Sequence, residues 1–248
     1  MELSKAARAA RKVLPLKSCG AVIVAAGTAS RMGGIDKMLA PLAGVPVVLR
    51  SARELAASER IDSLIIVTRR ELTEEVRRLC CEIPKLAAVV PGGASRAEST
   101  LAGLAVVPAG TEFAAIHDGA RPLVTVAVID EAIAAAERFG AAAPAIPVRD
   151  TIKEAENGVV RSTPDRDRLF AVQTPQVFEA RFLQNALREA QARGLPLTDD
   201  CSAAETAGLP VHLTRGSEEN LKITTPVDLV LAEAILKRRE EDAHRTRV

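Results

Sequence analysis

Five short apolar runs separated by amphipathic stretches occupy residues 21–148, and this alternation restricts the fold more than anything else in the chain. The runs are 21–26, 64–67, 86–90, 113–116 and 141–148. After the first, Val48, Ala52, Leu55 and Ala56 fall on one helical face behind Pro46, a residue suited to a first turn. Thr73 is placed to cap a second helix, with Glu74 and Glu75 in its positive first turn and Val76, Leu79 and Cys80 facing inward. Ser95 and Glu98 read as a capping box that opens a third helix through Val106. Thr125 opens a fourth, with Ile129, Ala132, Ile133 and Ala136 on one face. Such alternation predicts an α/β fold, Rossmann-like and doubly wound, whose mostly parallel sheet is covered by helices on both faces. Sheets of this kind bind ligands beyond the carboxyl ends of their strands. The loops after runs one, three, four and five carry the unusual residues and are expected to gather at that edge.

Residues 149–178 break the pattern. Asn157-Gly158 lies between two β-compatible runs, Thr151-Ile152-Lys153 and Val159-Val160, which predicts a hairpin. The whole of 149–178 is expected to form an arm protruding from a single domain spanning 1–248. Such an arm serves either as a subunit contact or as a solvated loop. Helical spacing returns at Phe182, Leu183, Ala186 and Leu187, and Thr198-Asp199-Asp200 opens a short helix that stops at Gly208. A late strand is expected at 211–213. Thr225-Pro226-Val227-Asp228 has the order of a helix start, and Val227, Val230, Leu231, Ala234 and Ile235 are expected to line its buried face. The basic residues 1–18 read as a weak helix or frayed extension, and the charged tail from Lys237 as a fraying end.

The net charge of +1 supplies no global field for nucleic acid or an anionic membrane, so any anion site must be local. With no Trp or Tyr and five Phe, base-stacking platforms are lacking. No apolar run approaches the ~20 residues that span a bilayer. Cys19, Cys80, Cys81 and Cys201 match no metal-ligand spacing and read as reduced thiols of a cytoplasmic protein.

The first loop stands out chemically. Residues 21–26 end at Gly27-Thr28-Ala29-Ser30, and Arg31 and Lys37 then flank Gly33-Gly34. The spacing is neither that of a Walker A loop nor that of a dinucleotide fingerprint. Backbone N–H groups beside two cations nevertheless suit a polyphosphate.

Ala25-Ala26-Gly27 followed by Arg31-Met32, with Lys37 downstream, resembles the signature of nucleotidyltransferases that act on nucleotide-sugar-type substrates. Four further segments narrow it: Gly92 to Ser99, His117 to Pro122, Pro147 to Thr151 and Asn220 to Thr224. In this order they resemble the 2-C-methyl-D-erythritol 4-phosphate cytidylyltransferases of non-mevalonate isoprenoid biosynthesis, over roughly residues 20–238. The resemblance implies that Ala25, Ala26 and Gly27 present backbone to the CTP phosphates, while Arg31 and Lys37 neutralise the α-phosphate and the departing pyrophosphate. It implies that Gly92, Gly93 and Ala94 read cytosine through backbone groups, with Arg96 and Ser99 nearby. Asp118 and Gly119 would meet the ribose or a Mg²⁺ ion held by Asp118. Arg121, Thr151 and Lys222 would hold the polyol phosphate, with Thr198 at the rim and Lys222 also counted among the catalytic cations beside Arg31 and Lys37. The family's homodimer exchanges arms, so Arg166 would reach the partner's substrate phosphate.

The chain departs from the family pattern at Ala29, where a second glycine is usual, and at Asp36-Lys37-Met38, where Pro-Lys-Gln is common. Asp36 is able to offset part of the Lys37 charge. Gly119 replaces an alanine and Ala94 an acidic or polar residue. The reaction fits the residues present. A phosphate monoester has a second pKa of about 6, so the acceptor is already largely dianionic and needs no general base. The demand is for cations and Mg²⁺ around an in-line transition state. Read without the resemblance, His117 is a structural hydrogen-bonder, Asp199 and Asp200 cap a helix, Arg149 and Asp150 pair to orient Thr151, Lys222 is a solvated strand-end lysine, and Arg69-Arg70 and Lys237-Arg238-Arg239 are solvated faces. Two rival functions share the motifs: transfer to D-ribitol 5-phosphate, and a non-catalytic nucleotide-binding or scaffold subunit.

Overall fold

The apolar run at the front of the chain becomes the centre of the sheet. A computed structural model describes residues 17–27 and 36–245. In it β1 (Cys19–Ala25) is flanked in parallel by β4 (Ser63–Thr68) and β6 (Phe113–Asp118), and β4 by β5 (Leu86–Pro91). Successive side chains of a strand point to opposite faces. Ala21 and Ile23 accordingly pack on one side with α1 (Val47–Ala57), α2 (Thr73–Cys80) and α4 (Val126–Phe139), through Val48, Leu55, Val76, Ile129 and Ile133. Val22 packs on the other with α3 (Arg96–Leu104), α5 (Ala180–Ala192) and α6 (Asp200–Thr206), through Leu104, Leu183, Leu187 and Ala203. Burial on both faces explains why the run does not alternate. A short β2–β3 pair (Pro41–Leu42 and Val45–Pro46) leads into α1.

The sheet is mostly parallel, but its far half differs from the simple expectation. β7 (Ala141–Pro147) does not pair with β6. An antiparallel strand, β11 (Gln176–Glu179), lies between them, and β10 (Phe170–Val172) pairs antiparallel with the rest of the same β7 edge. The late strand β12 (His212–Arg215) runs parallel along the other edge of β7. Residues 170–179 thus belong to the central sheet, and the part that leaves it is narrower than 149–178. That part carries a hairpin of β8 (Glu154–Glu156) and β9 (Val159–Ser162). Thr151-Ile152-Lys153 precede β8 instead of forming it. Asn157 and Gly158 both have positive φ, 51° and 77°, as a two-residue turn with the twist of a hairpin requires.

Other local expectations are also corrected. Thr73 does not cap α2; a 3-10 turn over Arg70–Leu72 precedes it, and its hydroxyl donates to the Arg69 carbonyl at 3.3 Å. α3 stops at Leu104, and its capping box is half-formed: Ser95 accepts from the Glu98 N–H at 3.1 Å, but the Glu98 carboxylate reaches Ala94. Thr125 and Asp199 cap α4 and α6 as expected. The last helix, α7 (Pro226–Arg245), is rotated from its expected face. Val227 and Val230 are 65% and 67% exposed, Leu231 and Ala234 are also exposed, and the buried side is Leu229, Ala232, Ile235 and Leu236. Apolar residues surround this helix, so spacing alone cannot select a face. Arg239, far from a fraying end, donates to the Leu123 carbonyl at 3.0 Å and to Glu219 at 2.8 Å, which locks the rotation.

Candidate active site

The carboxyl ends of β1, β4, β5 and β6 open into a cavity of about 470 Å³. Ala26 and Gly27 after β1, Gly93, Ala94 and Ser95 after β5, and Asp118 at the end of β6 form its walls. Among the described residues, four cations line it, Lys37, Arg69, Arg96 and Lys222, with Asp118 as the one acid. The loop after β4 thus contributes through Arg69, whereas the loop after β7 supplies no lining residue.

The wall after β5 needs glycine. A Cβ on Gly92 would lie 2.6 Å from both the Ala26 Cβ and the Ser99 Oγ, so no side chain fits between the two loops. The three N–H groups of this segment are already used. Gly92 donates to the Thr68 carbonyl at 2.8 Å, Gly93 to the Ser99 hydroxyl at 3.2 Å, and Ala94 to the Glu98 carboxylate at 2.6 Å. The segment is thereby left to present carbonyls.

Asp118 anchors the charged centre. Its Oδ1 accepts from Arg96 at 3.3 Å and its Oδ2 from Lys222 at 2.7 Å. Burial alone would raise its pKa, but Arg96 and Lys222 outweigh that and hold it well below the usual carboxylate range. Arg96 is held in turn by Asp200, which is fully buried, at 2.6 Å. Burial opposes the Arg96 charge, but Asp200 and Asp118 push its pKa upward on balance. Thr100 donates to the other Asp200 oxygen at 3.1 Å, and Gln176 Oε1 accepts from the Asp200 and Cys201 N–H groups. Asp199 caps α6, and Asp200 beside it is an ionic strut.

A second set of buried groups supports Asp118 from below. The Arg121 carbonyl, 3.1 Å from His117 Nε2, can only accept, so Nε2 carries the ring proton. Nδ1 of the neutral ring then accepts from the Thr174 hydroxyl at 3.0 Å, whose Oγ1 also accepts from the Asp118 N–H at 3.1 Å. Both ring nitrogens are satisfied in the neutral tautomer, and burial lowers the His117 pKa to about 4. The Asn220 side-chain amide donates to the Thr174 carbonyl at 3.0 Å, and the Asn220 backbone carbonyl accepts from the Arg121 guanidinium at 2.7 Å. Asp118, Arg121 and the segment leading to Lys222 are therefore tied to one network. His117 has the structural role expected of it.

The residues singled out from sequence divide three ways. Ala26, Gly27, Lys37, Gly93, Ala94, Arg96, Ser99, Asp118 and Lys222 line one cavity. Ala25, Gly92 and Gly119 back it, with the Gly119 N–H donating to the Val24 carbonyl at 2.9 Å, and Arg121 closes the turn from Asp118. Thr151, Arg166 and Thr198 do not line it. Thr198 borders a separate crevice behind Arg96, and the Arg166 guanidinium is exposed and donates to the Arg149 carbonyl at 2.9 Å. Arg149 pairs with Glu218, not with Asp150. Arg31 and Ala29 lie outside the described residues. Sequence reasoning missed Arg69, read as a solvated face, and the buried partners Asp200, Thr174 and Asn220. Arg69 carried one usable signal: it is the first residue past the carboxyl end of a strand.

The donor set also bears on a metal. Among the described residues no group of three or more His, Cys, Asp or Glu comes together. Mg²⁺ is commonly held by substrate phosphates, waters and one or two carboxylates. The cavity fits that mode, with Asp118 as its single carboxylate.

With this geometry in hand, comparison with known proteins is direct. A family model described as 2-C-methyl-D-erythritol 4-phosphate cytidylyltransferase matches residues 19–238. A protein of that name from Desulforamulus reducens is 44% identical over 228 residues, which cover 88% of this chain and 96% of the relative. One from Symbiobacterium thermophilum is 44% identical over 224 residues, covering 90% and 93%. The crystal structure of 4-diphosphocytidyl-2C-methyl-D-erythritol synthase from Anaerococcus prevotii superposes with a TM-score of 0.80 at 28% identity, covering 89% of this chain and 96% of that one.

Proposed function

The chain belongs to the 2-C-methyl-D-erythritol 4-phosphate cytidylyltransferase family, and we propose that it transfers the cytidylyl group of CTP to 2-C-methyl-D-erythritol 4-phosphate. The products are 4-diphosphocytidyl-2-C-methyl-D-erythritol and pyrophosphate, a step of non-mevalonate isoprenoid biosynthesis. The observation that carries this reading is the cavity at the sheet edge, which Lys37, Arg69, Arg96 and Lys222 line together with Asp118 beside a glycine wall.

An acceptor phosphate oxygen attacks the α-phosphorus in line, and the bond to the β-phosphate oxygen breaks with its electron pair leaving on pyrophosphate. No proton has to move, because the acceptor is dianionic at neutral pH. Lys37, with Arg31, meets the triphosphate; Lys222 bridges acceptor and α-phosphate and is aimed by Asp118. The family resemblance assigns Arg121 and Thr151 to the acceptor phosphate and Thr198 to the rim, although Thr151 and Thr198 do not line the cavity that holds Lys37 and Lys222. Asp118 is the carboxylate that would hold a Mg²⁺ ion beside the triphosphate, and such an ion would supply neutralisation of the charge developing on the phosphates. Carbonyls of the 92–94 segment accept the two hydrogens of the cytosine amino group, since the segment's N–H groups are committed within the chain. Uracil would set its own carbonyl against them, so UTP should be a substrate at least ~10-fold poorer than CTP by kcat/KM. Equal use of UTP would contradict this reading of the β5 wall.

The protein acts as a homodimer in the cytoplasm. Arg166 reaches the partner's acceptor from the arm, in keeping with its absence from the lining of its own cavity and with the exposure of Val159 and Val160 on the hairpin, 58% and 55%. No helix among the described residues is long and apolar enough to cross a membrane. The test is pyrophosphate release from CTP and Mg²⁺ with each polyol phosphate offered separately. Release with methylerythritol phosphate is expected. Release with D-ribitol 5-phosphate alone would transfer the assignment to that acceptor, and release with neither would favour a non-catalytic subunit.

A further inference from the structure

We propose that Arg69 is a positioning residue for the transfer: through Asp36 it fixes the turn that presents Lys37 to the cavity. The proposal rests on the reading of that cavity as the CTP site. A lysine is a point charge on a flexible stem, so its usefulness depends on how firmly its backbone is held. The turn carrying Lys37 is anchored on both sides. Beyond it, Met38 is buried in the core and its carbonyl accepts from the Val48 N–H at 3.0 Å, which ties the turn to α1. Before it, Asp36 organises the backbone: its carbonyl accepts from Leu39 and Ala40 at 3.1 and 2.8 Å, and its Oδ1 from Met38 at 2.8 Å. The remaining oxygen, Oδ2, is held by the Arg69 guanidinium.

Arg69 has the backbone for this task. It follows Thr68, which stands in register with Ala25 at the mouth of the phosphate loop, and its carbonyl accepts from the Leu72 N–H at 3.0 Å. The side chains of the pair are only 27% and 18% exposed, so salt screens them less than a surface pair. Where the family commonly has proline before this lysine, the ring fixes φ. Aspartate does not, and the ion pair with Arg69 supplies the constraint. The acid that seemed set to oppose Lys37 is the handle by which its turn is held.

The test is a double-mutant cycle with a rescue. Asp36→Ala and Arg69→Ala should each lower kcat ~10- to 100-fold with the KM for the acceptor little changed, and the double variant should be no worse than the poorer single. Asp36→Pro placed in the Arg69→Ala background should restore turnover to within ~3-fold of the parent, because it replaces the constraint. Thermal melting checks that each variant is folded, and Arg69→Lys, which keeps the charge, serves as the milder change. CTP affinity by calorimetry, run in parallel, should fall by similar factors in both singles. Loss in Arg69→Ala with Asp36→Ala unaffected, or fully additive losses, would overturn the proposal. Wild-type protein that binds CTP yet releases no pyrophosphate would sink the enzymatic reading, while the binding cycle would still test the clamp.

Discussion

At the charged centre, each residue's role follows from what it can and cannot exchange with water. Asp200 has no solvent to fall back on, so Asp200→Asn leaves the Arg96 guanidinium without its main counter-charge. Removing one partner of a buried pair costs about 3 kcal/mol, and a loss of this order is expected in urea denaturation of Asp200→Asn, together with reduced turnover as Arg96 loosens against Asp118. His117 predicts a pH effect of known sign. Its native pKa, near 4, lies below the ordinary 6.5, so the unfolded chain binds the extra proton first. Its contribution is complete above about pH 6.5 and is lost as pH falls toward 4, by roughly 3 kcal/mol in all. The His117→Asn variant should show a shallower stability loss over that window; an unchanged slope would mean that His117 is not buried as the neutral tautomer. None of these partnerships could be read from spacing, because Asp118, Thr174, Asp200 and Asn220 are brought together only by the sheet.

Elements were legible where one force dominated. β1, β4 and β6 are apolar because both faces are buried, and their runs announce it. Ser95 announces α3 through a local hydrogen bond, and Ser95→Ala should cost about 1 kcal/mol in the same denaturation assay. The Asn157-Gly158 turn was equally clear, since few other pairs tolerate two positive φ values. The failures share a different cause. β10 and β11 are short and lie in a charged region, and only their sheet partners, β7 for both and β6 for β11, make them strands. α7 carries apolar residues around most of its circumference, so its orientation was decided by Asp228, which accepts from both Thr224 and Thr225, and by Arg239, none of which alters the apolar spacing. Arg69 is a similar case: its sequence neighbour is another arginine, and its partner Asp36 is a loop away.

For the whole molecule, the fold class and the sheet edge that carries the cavity followed from strand–helix alternation, the hairpin of the arm followed from its turn, and most of the cavity's residues followed from the family resemblance. The hairpin exposes Val159 and Val160 beside Arg166, which does not line its own cavity, and the proposed dimer would use this arm to complete the partner's site. Val160→Asp should then yield monomers in analytical ultracentrifugation and lose turnover with the acceptor while retaining CTP binding; a fully active monomer would contradict the trans assignment of Arg166. The central claim is chemical and can be seen directly by ³¹P NMR of the protein with CTP, Mg²⁺ and 2-C-methyl-D-erythritol 4-phosphate. The account predicts that the acceptor's monoester signal is replaced by the paired doublets of a diphosphate diester, with pyrophosphate appearing in equal amount. An unchanged monoester signal, or pyrophosphate formed at the same rate without the acceptor, would contradict it.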